Sequence, residues 1–234
     1  MPDRHTSALL VVDMQNDFLA TGGYYDEKTK RERANQGKLH RQDIDELARL
    51  YLRPPPTCEI RQPYQDVVDA VVEIAAAALA QNVLTVFVQA AYDPASVYRP
   101  PLFLAAPTRR DYACHPDSWG ADFVEPIQAL VALPQAKVVV KHTFDAFFET
   151  ELRGLLHFHQ IETIYVAGVE TNVCVLCTAL SALTNGFQTV ILEDCVATSQ
   201  EELHAPALKI LEVAKSRRMS KQQVMEMLRQ HHLT

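Results

Sequence analysis

Short apolar runs alternate along the chain with longer segments in which apolar residues recur every three or four positions. The short runs are typical of strands buried on both faces of a parallel sheet, and the longer period is typical of helices that cover such a sheet. Strands are predicted at residues 8–12, 83–88, 136–140, 163–167 and 189–192, with room for a short sixth around 218–219. Helices are predicted at residues 66–80, 122–133, 147–159, 173–185, 201–215 and 220–230.

This alternation predicts an α/β fold, a doubly wound parallel sheet of five to six strands with helices on both faces in three layers. Residues 1–234 are expected to form one domain, although the length also permits two. Residues 27–63 differ in character, with a charged start, a short amphipathic helix candidate and three consecutive prolines at 54–56. We interpret them as an insertion over one edge of the fold, either a lid or an oligomer contact.

The composition narrows the function classes. The chain has 234 residues, a formal net charge of −7 and 48% hydrophobic residues, which is typical of a soluble globular protein without nucleic acid as its main partner. No apolar run approaches the ~20 residues that span a bilayer, and the N-terminal segment does not resemble a signal peptide, so no membrane partner is expected. The five scattered cysteines, an odd number, are expected to be reduced. We therefore expect a cytoplasmic protein.

Three residues with reactive or charged side chains stand at the ends of predicted strands. Asp13 follows the first strand, Lys141 follows the third, and Cys174 opens the helix after the fourth. Each has an ordinary explanation by itself, since strand-end charges are usually solvated and single cysteines are usually buried for packing. In a doubly wound sheet, however, all three converge on the edge where ligands of such sheets bind.

Together these residues suit nucleophilic attack on a carbonyl carbon. The start of a helix and a nearby ammonium both favour a thiolate, so we expect a lowered pKa for the Cys174 thiol. The Asp13 carboxylate can take the thiol proton and later give it to a departing amine. Backbone N–H groups in the turn from Gly168 to Cys174 could hold an oxyanion. The Cys174-x-x-Cys177 spacing resembles a redox pair, but no second pair exists to complete a zinc site.

Several side chains near the same edge are candidates for the walls of a substrate pocket. Gln89 has the strongest case, because an amide at a strand end can both donate to and accept from a urea-like substrate. For the aromatic candidates, ordinary core packing is an equally good explanation. The candidate substrate-binding residues are Phe18, Gln89, Tyr92, Trp119 and Phe144.

Three ordered motifs connect the strand-end residues to a known family. They are VVDMQNDF, which contains Asp13, KHTFDAFFETEL, which begins with Lys141, and GVETNVC, which ends at Cys174. Through them the chain resembles the isochorismatase-like cysteine hydrolase superfamily over nearly its whole length, except residues 27–63. The resemblance implies that Asp13, Lys141 and Cys174 form a catalytic triad.

The same resemblance implies further features of the site. The bond between Val169 and Glu170 would be a cis peptide, and the backbone N–H groups of Glu170 and Cys174 would form the oxyanion hole. Nicotinamidase-like members bind a metal through an aspartate and two histidines after the second strand, but residues 89–101 contain no histidine. We therefore expect no metal and no cofactor. Members usually form dimers or tetramers, so a homo-oligomer is expected.

The retained cysteine indicates the type of reaction. Amide-cleaving members of the superfamily need this cysteine, whereas members that act on the vinyl ether of isochorismate do not. The predicted activity is a cysteine-dependent cleavage of a C–N bond in a small amide, ureido or carbamoyl substrate through a thioester. VVDMQNDFLATGGYYD and the segment around Trp119 resemble ureidoacrylate amidohydrolases most, although the insertion at 27–63 departs from them. The alternatives are an isochorismatase-type vinyl ether hydrolase and a non-catalytic binding protein on the same fold.

Overall fold

The computed structural model of this chain describes residues 6–26, 59–92, 113–116 and 118–230. Residues 27–58, which make up most of the segment interpreted as an insertion, lie outside this part of the chain. Residues 93–101 of the loop after the second strand lie outside it as well. No helix within the described residues is long and apolar enough to cross a membrane.

Within the described residues, six parallel strands form one sheet in the order β3-β2-β1-β4-β5-β6, which confirms the predicted α/β fold. The order reverses between β1 and β4, and ligands of open parallel sheets bind at such a point. The strands are β1 (Ser7–Val12), β2 (Leu84–Ala90), β3 (Lys137–Lys141), β4 (Thr163–Val169), β5 (Gln188–Ala197) and β6 (Arg217–Met219).

Helices cover both faces of the sheet and enclose two separate apolar cores. Leu9 and Val11 of β1 point into one core, while Leu10 and Val12 point into the other, as the twofold period of a strand requires. Among the described residues, the helices over the first core are Gln65–Ala80, Glu125–Val131 and Lys221–Gln230. Those over the second core are Leu152–Phe158, Leu176–Thr184 and Glu201–Val213.

One predicted helix is wrong over its first half. The prediction covered residues 147–159, but the helix spans only Leu152–Phe158. Just before it, Asp145 Oδ1 accepts a hydrogen bond from the N–H of Phe147 at 2.8 Å, and Thr150 Oγ1 accepts one from the N–H of Leu152 at 3.2 Å. Such side-chain bonds to nearby backbone groups compete with helix formation.

The fourth and fifth strands are longer than predicted. β4 continues to Val169 rather than ending at Gly168, and the pairing with β5 shifts register between Val166 and Gly168. Gly168 has a φ of +116°, and a Cβ atom there would lie 2.0 Å from the carbonyl oxygen of Val12. A glycine is therefore required for the end of β4 to lie against the end of β1, which brings the following turn close to Asp13.

Candidate active site

The side chains of Asp13, Lys141 and Cys174 meet at the C-terminal edge of the sheet. The Lys141 Nζ lies 2.9 Å from Asp13 Oδ2 and 3.4 Å from Cys174 Sγ. It also donates to the carbonyl oxygen of Thr143 at 3.0 Å. Asp13 and Lys141 are completely buried and Cys174 is 3% exposed. The structure thus brings together the three residues that the strand ends indicated.

The expected low pKa of the Cys174 thiol is wrong for this arrangement. Burial raises the pKa of Cys174, the negative charge of Asp13 raises it further, and the ammonium of Lys141 does not compensate. A single buried cation next to two acidic groups favours one anion and one neutral acid. The sulfur therefore keeps its proton at neutral pH until a base removes it.

The environments of Asp13 and Lys141 suit Asp13 to act as this base. Burial raises the pKa of the Asp13 carboxyl by more than Lys141 lowers it, which makes this carboxylate more basic than one on the surface. Burial by itself would lower the pKa of Lys141, but the charges of Asp13 and Cys174 outweigh it and the pKa is raised. Lys141 therefore stays positively charged and balances whichever acidic group is ionised.

Cys174 lies in a tight turn between β4 and the helix Leu176–Thr184. Thr171–Val175 form a π-helical turn, in which the N–H groups of Val173 and Val175 donate to the carbonyl oxygen of Glu170 at 3.0 and 3.2 Å. The turn continues directly into the helix, so Cys174 does lie at the start of a helical segment, as predicted. The bond between Val169 and Glu170 is a cis peptide.

Two of the predicted pocket residues are found beside this cysteine. The Tyr92 hydroxyl lies 3.9 Å from Cys174 Sγ, and the Lys141 Nζ lies 5.7 Å from the centre of the Tyr92 ring. Phe144 meets the Tyr92 ring edge to face, with 6.3 Å between ring centroids. Tyr92 is buried and Phe144 is partly buried, so both could form part of a closed wall around the sulfur.

The remaining three predicted pocket residues have partners elsewhere. Phe18 is buried and stacks on Tyr25 at 5.4 Å between ring centroids. Gln89 is partly buried, and its side-chain Nε2 donates to the carbonyl oxygen of Ala121 at 2.8 Å. Trp119 accepts a hydrogen bond at its carbonyl oxygen from the Asn16 side chain at 2.8 Å. The contacts of Gln89 and of the Trp119 backbone connect the end of β2 and the loop after β1 to residues 119–121, whereas Phe18 packs within the loop after β1.

Sequence reasoning missed the polar residues that follow Asp13. Gln15 is completely buried; its Oε1 accepts from the N–H of Ala90, and its Nε2 donates to the carbonyl oxygens of Ala90 and Ala121. Asp17 accepts from the N–H groups of Tyr24 at 2.8 Å and Cys114 at 2.6 Å. Three consecutive polar residues, Gln15 to Asp17, directly after a buried strand were the available signal, because buried polar side chains need internal partners.

No group of three or more histidine, cysteine, aspartate or glutamate side chains that could hold a metal ion occurs among the described residues. Residues 93–101 of the loop on which the absence of a metal was predicted lie outside the described part, so the absence of a metal stays a prediction.

Comparison with protein families agrees with the motifs and the geometry. Residues 55–223, more than two thirds of the chain, match the isochorismatase domain. The chain belongs to the isochorismatase family. The matched range contains Lys141 and Cys174, while Asp13 precedes it.

Individual proteins of the isochorismatase family show the same relationship. The chain is 33% identical over 98 residues to maleamate amidohydrolase from Pseudomonas putida, covering 41% of this chain and 46% of the relative. It is 35% identical over 88 residues to nicotinamidase 3 from Arabidopsis thaliana, covering 38% and 44% respectively. The matches therefore span just under half of the length of these relatives.

Solved structures extend the likeness of the fold to nearly the whole chain. A cysteine hydrolase from Pseudomonas syringae pv. phaseolicola 1448A superposes with a TM-score of 0.74 at 16% identity, covering 96% of this chain and 93% of that one. A nicotinamidase from Staphylococcus aureus superposes with a TM-score of 0.63 at 20% identity, covering 92% and 99%.

Proposed function

We propose that the protein is a cysteine-dependent amidohydrolase that cleaves a C–N bond of a small amide, ureido or carbamoyl compound. The observation that carries this proposal is the buried contact of Lys141 Nζ with both Asp13 Oδ2 and Cys174 Sγ, at 2.9 and 3.4 Å. A nucleophile, a base and a fixed cation within contact distance are the groups that acyl transfer requires.

In the proposed mechanism, Asp13 takes the proton of Cys174 as the sulfur attacks the carbonyl carbon. The oxygen of the tetrahedral intermediate is held by the backbone N–H groups of Glu170 and Cys174. Asp13 then gives the proton to the departing nitrogen, and water hydrolyses the thioester with Asp13 as base. Lys141 stays charged throughout and stabilises the thiolate. The raised pKa of the Asp13 carboxyl supports this role, because a proton shuttle works best when its pKa approaches the operating pH.

We propose a substrate of the size and polarity of ureidoacrylate. The motif after β1 supports this choice by resemblance, and the likeness to maleamate amidohydrolase and nicotinamidase supports small amides in general. Tyr92 and Phe144 would contact the substrate next to the sulfur. For Phe18 and Gln89 an indirect role in shaping the pocket is better supported by their contacts, while Trp119 stays a candidate substrate contact.

The test is a substrate panel with a matched pair of variants. Ammonia release is measured for ureidoacrylate, N-carbamoyl amino acids, maleamate and nicotinamide, with wild type, Cys174→Ala and Cys174→Ser. We expect turnover of at least one of these compounds by wild type and none by either variant, because a serine alkoxide is far harder to generate than a thiolate. Unfolding curves of both variants should show that the fold is retained. Wild-type turnover by Cys174→Ala would exclude covalent catalysis.

The second candidate function is hydrolysis of a vinyl ether such as isochorismate, in which Asp13 protonates the substrate. The raised pKa of the Asp13 carboxyl also favours it, since it increases the protonated fraction of this group. Isochorismate therefore belongs in the panel, read by its diene product. Activity on isochorismate that persists in Cys174→Ala would select this function.

We also propose that the enzyme works as a homo-oligomer in the cytoplasm. The mechanism needs a reduced Cys174, and cytosolic conditions keep thiols reduced. Cys114, Cys174, Cys177 and Cys195 are all free thiols in the described part. Light scattering at micromolar concentration tests the oligomer, and a monomer would contradict it.

A further inference from the structure

The carboxylate of Glu170 is held by two donors from distant parts of the chain. The Tyr64 hydroxyl donates to Oε1 at 2.8 Å, and the backbone N–H of Ser199 donates to Oε2 at 2.5 Å. Hydrogen bonds to an ionised acceptor are about twice as strong as bonds between neutral groups. Both oxygens of the partly buried carboxylate are therefore fixed.

Tyr64 is rigidly placed to make this contact. It is 1% exposed and ends the short 3-10 helix Gln62–Tyr64, which leads directly into the helix Gln65–Ala80. The Arg61 guanidinium lies 4.8 Å from the centre of its ring and donates to the carbonyl oxygen of Tyr25 at 3.0 Å. Burial and the charge of Glu170 raise the pKa of Tyr64, so the hydroxyl keeps the proton that it donates.

Glu170 joins the end of β4 to the turn that carries the nucleophile. Its carbonyl oxygen accepts the N–H groups of Val173 and Val175, on either side of Cys174. A rotation of Glu170 would therefore move its own N–H and tilt the π-helical turn together. The next residues are held from the same side as Ser199: Thr198 donates to the Asn172 side chain at 2.6 Å, and His204 lies 3.1 Å from the Thr171 hydroxyl.

We propose that Tyr64 is a positioning residue for the reaction, which acts through the Glu170 carboxylate to aim the backbone N–H groups of the oxyanion hole. This inference rests on the proposed function, because it assumes that Cys174 attacks a carbonyl carbon. Tyr64 itself touches no reacting atom; it sets the orientation of a backbone that does. A misplacement of about 1 Å in such a group costs up to ~100-fold in rate.

The experiment compares two reactions of the same sulfur that differ in whether they form an oxyanion. With p-nitrophenyl acetate, Cys174 Sγ forms a bond to the acetyl carbon through a tetrahedral oxyanion, the aryl C–O bond breaks, the thiol proton leaves to a base and p-nitrophenolate departs. With iodoacetamide, the sulfur displaces iodide and no oxyanion forms. Both rates are read at Cys174 by mass spectrometry of its peptide, so no knowledge of the natural substrate is needed.

For Tyr64→Phe we expect the acetylation rate to fall about 10-fold or more, while the alkylation rate stays within about 2-fold of wild type. The matched control is Tyr165→Phe, which removes a hydroxyl from another buried tyrosine, in the N-terminal half of β4 and away from the turn that carries Cys174. Both rates of this control should equal those of wild type. A purely structural effect of Tyr64→Phe would lower both reactions together and would overturn the inference.

Glu170→Ala provides a second route that leaves the buried ring in place. It should lower acetylation selectively in the same way, and the double variant Tyr64→Phe/Glu170→Ala should be no slower than Glu170→Ala, because Tyr64 acts through the carboxylate. Additive effects would overturn the inference while leaving the proposed function intact. If wild-type Cys174 is not acetylated faster than a free thiol, the proposed function itself fails and the inference fails with it.

Discussion

The Lys141 ammonium lies 2.9 Å from the Asp13 carboxylate, although Asp13 follows β1, Lys141 ends β3, and β2 separates these two strands in the sheet. Both side chains are completely buried. Removing one partner of such a pair leaves an uncompensated buried charge, which costs about 3 to 5 kcal/mol. Breaking this ion pair should therefore lower the stability of the fold as well as change the chemistry at the C-terminal edge of the sheet.

Lys141→Met should lower the free energy of unfolding at neutral pH by about 3 to 5 kcal/mol, since it leaves Asp13 without its cation. Urea unfolding measures this change. The double variant Asp13→Asn/Lys141→Met has no buried charge and should recover most of the lost stability, although it should have no activity. A double variant as unstable as the sum of the two single variants would show that the ion pair is not the cause.

Asp13→Asn should separate thiol reactivity from turnover. The negative charge of Asp13 is the second cause, after burial, that raises the pKa of Cys174, while Lys141 lowers it. Without that charge the pKa of Cys174 should fall, and alkylation by iodoacetamide at pH 7 should become about 10-fold faster or more. Amide turnover should nevertheless drop by about 100-fold or more, because the departing nitrogen has lost its proton donor.

Lys141→Met is a control in which the alkylation rate should change in the opposite direction. It removes the cation and keeps the anion, so the pKa of Cys174 should rise and alkylation should become slower. Equal alkylation rates in wild type, Asp13→Asn and Lys141→Met would show that these charges do not control the sulfur.

Cys174 should also make the stability of the protein depend on pH on the alkaline side. Because the pKa of Cys174 is raised in the folded state, the folded chain holds this proton more tightly than the unfolded chain does. The resulting stability is present below the ordinary thiol pKa and is lost as the pH rises from about 9 toward the folded value. Lys141, whose pKa is also raised, contributes in the same direction at higher pH.

A comparison of wild type with Cys174→Ala isolates the contribution of the thiol to this pH dependence, because the variant lacks the thiol. Between about pH 9 and 10.5 the stability of wild type should fall more steeply than that of the variant, by up to about 1.4 kcal/mol per pH unit. Urea unfolding at several pH values provides both slopes. Parallel slopes would mean that the thiol ionises equally easily in the folded and unfolded states.

Gln15 and Gln89 offer a matched comparison of two amides at the same edge. Gln15→Leu leaves the N–H and carbonyl of Ala90 and the carbonyl of Ala121 with fewer buried partners, and it should cost about 3 kcal/mol or more of stability. Gln89→Leu removes one bond from a partly buried side chain and should cost about 1 kcal/mol.

If Gln89 also binds substrate, its replacement should raise KM by more than the loss of stability explains. Unchanged kinetics would remove it from the site.

The sequence by itself determined the class of fold and the three residues at its edge. Apolar runs that end in Asp13 and Lys141 are typical of strands with charged ends, although β3 exposes Val138 and Val140, and parallel strands place such ends at one edge. The GVETNVC motif located Cys174 at the start of a helical segment because glycine ends or bends a strand there. These conclusions depend on local pattern and on rules of topology that hold for every sheet of this kind.

Only the tertiary structure decided what depends on burial and on contacts between distant residues. Local pattern indicated a lowered pKa for Cys174, but the depth of burial and the proximity of Asp13 raise it. The bond from Tyr64 to Glu170 joins residues 106 positions apart, and no periodicity encodes it. Likewise, residues 147–151 fit a helical pattern, but the side chain of Thr150 binds the backbone N–H of Leu152, which a helix starting at 147 would use. In each case the deciding interaction is formed only once the surrounding chain has folded around it.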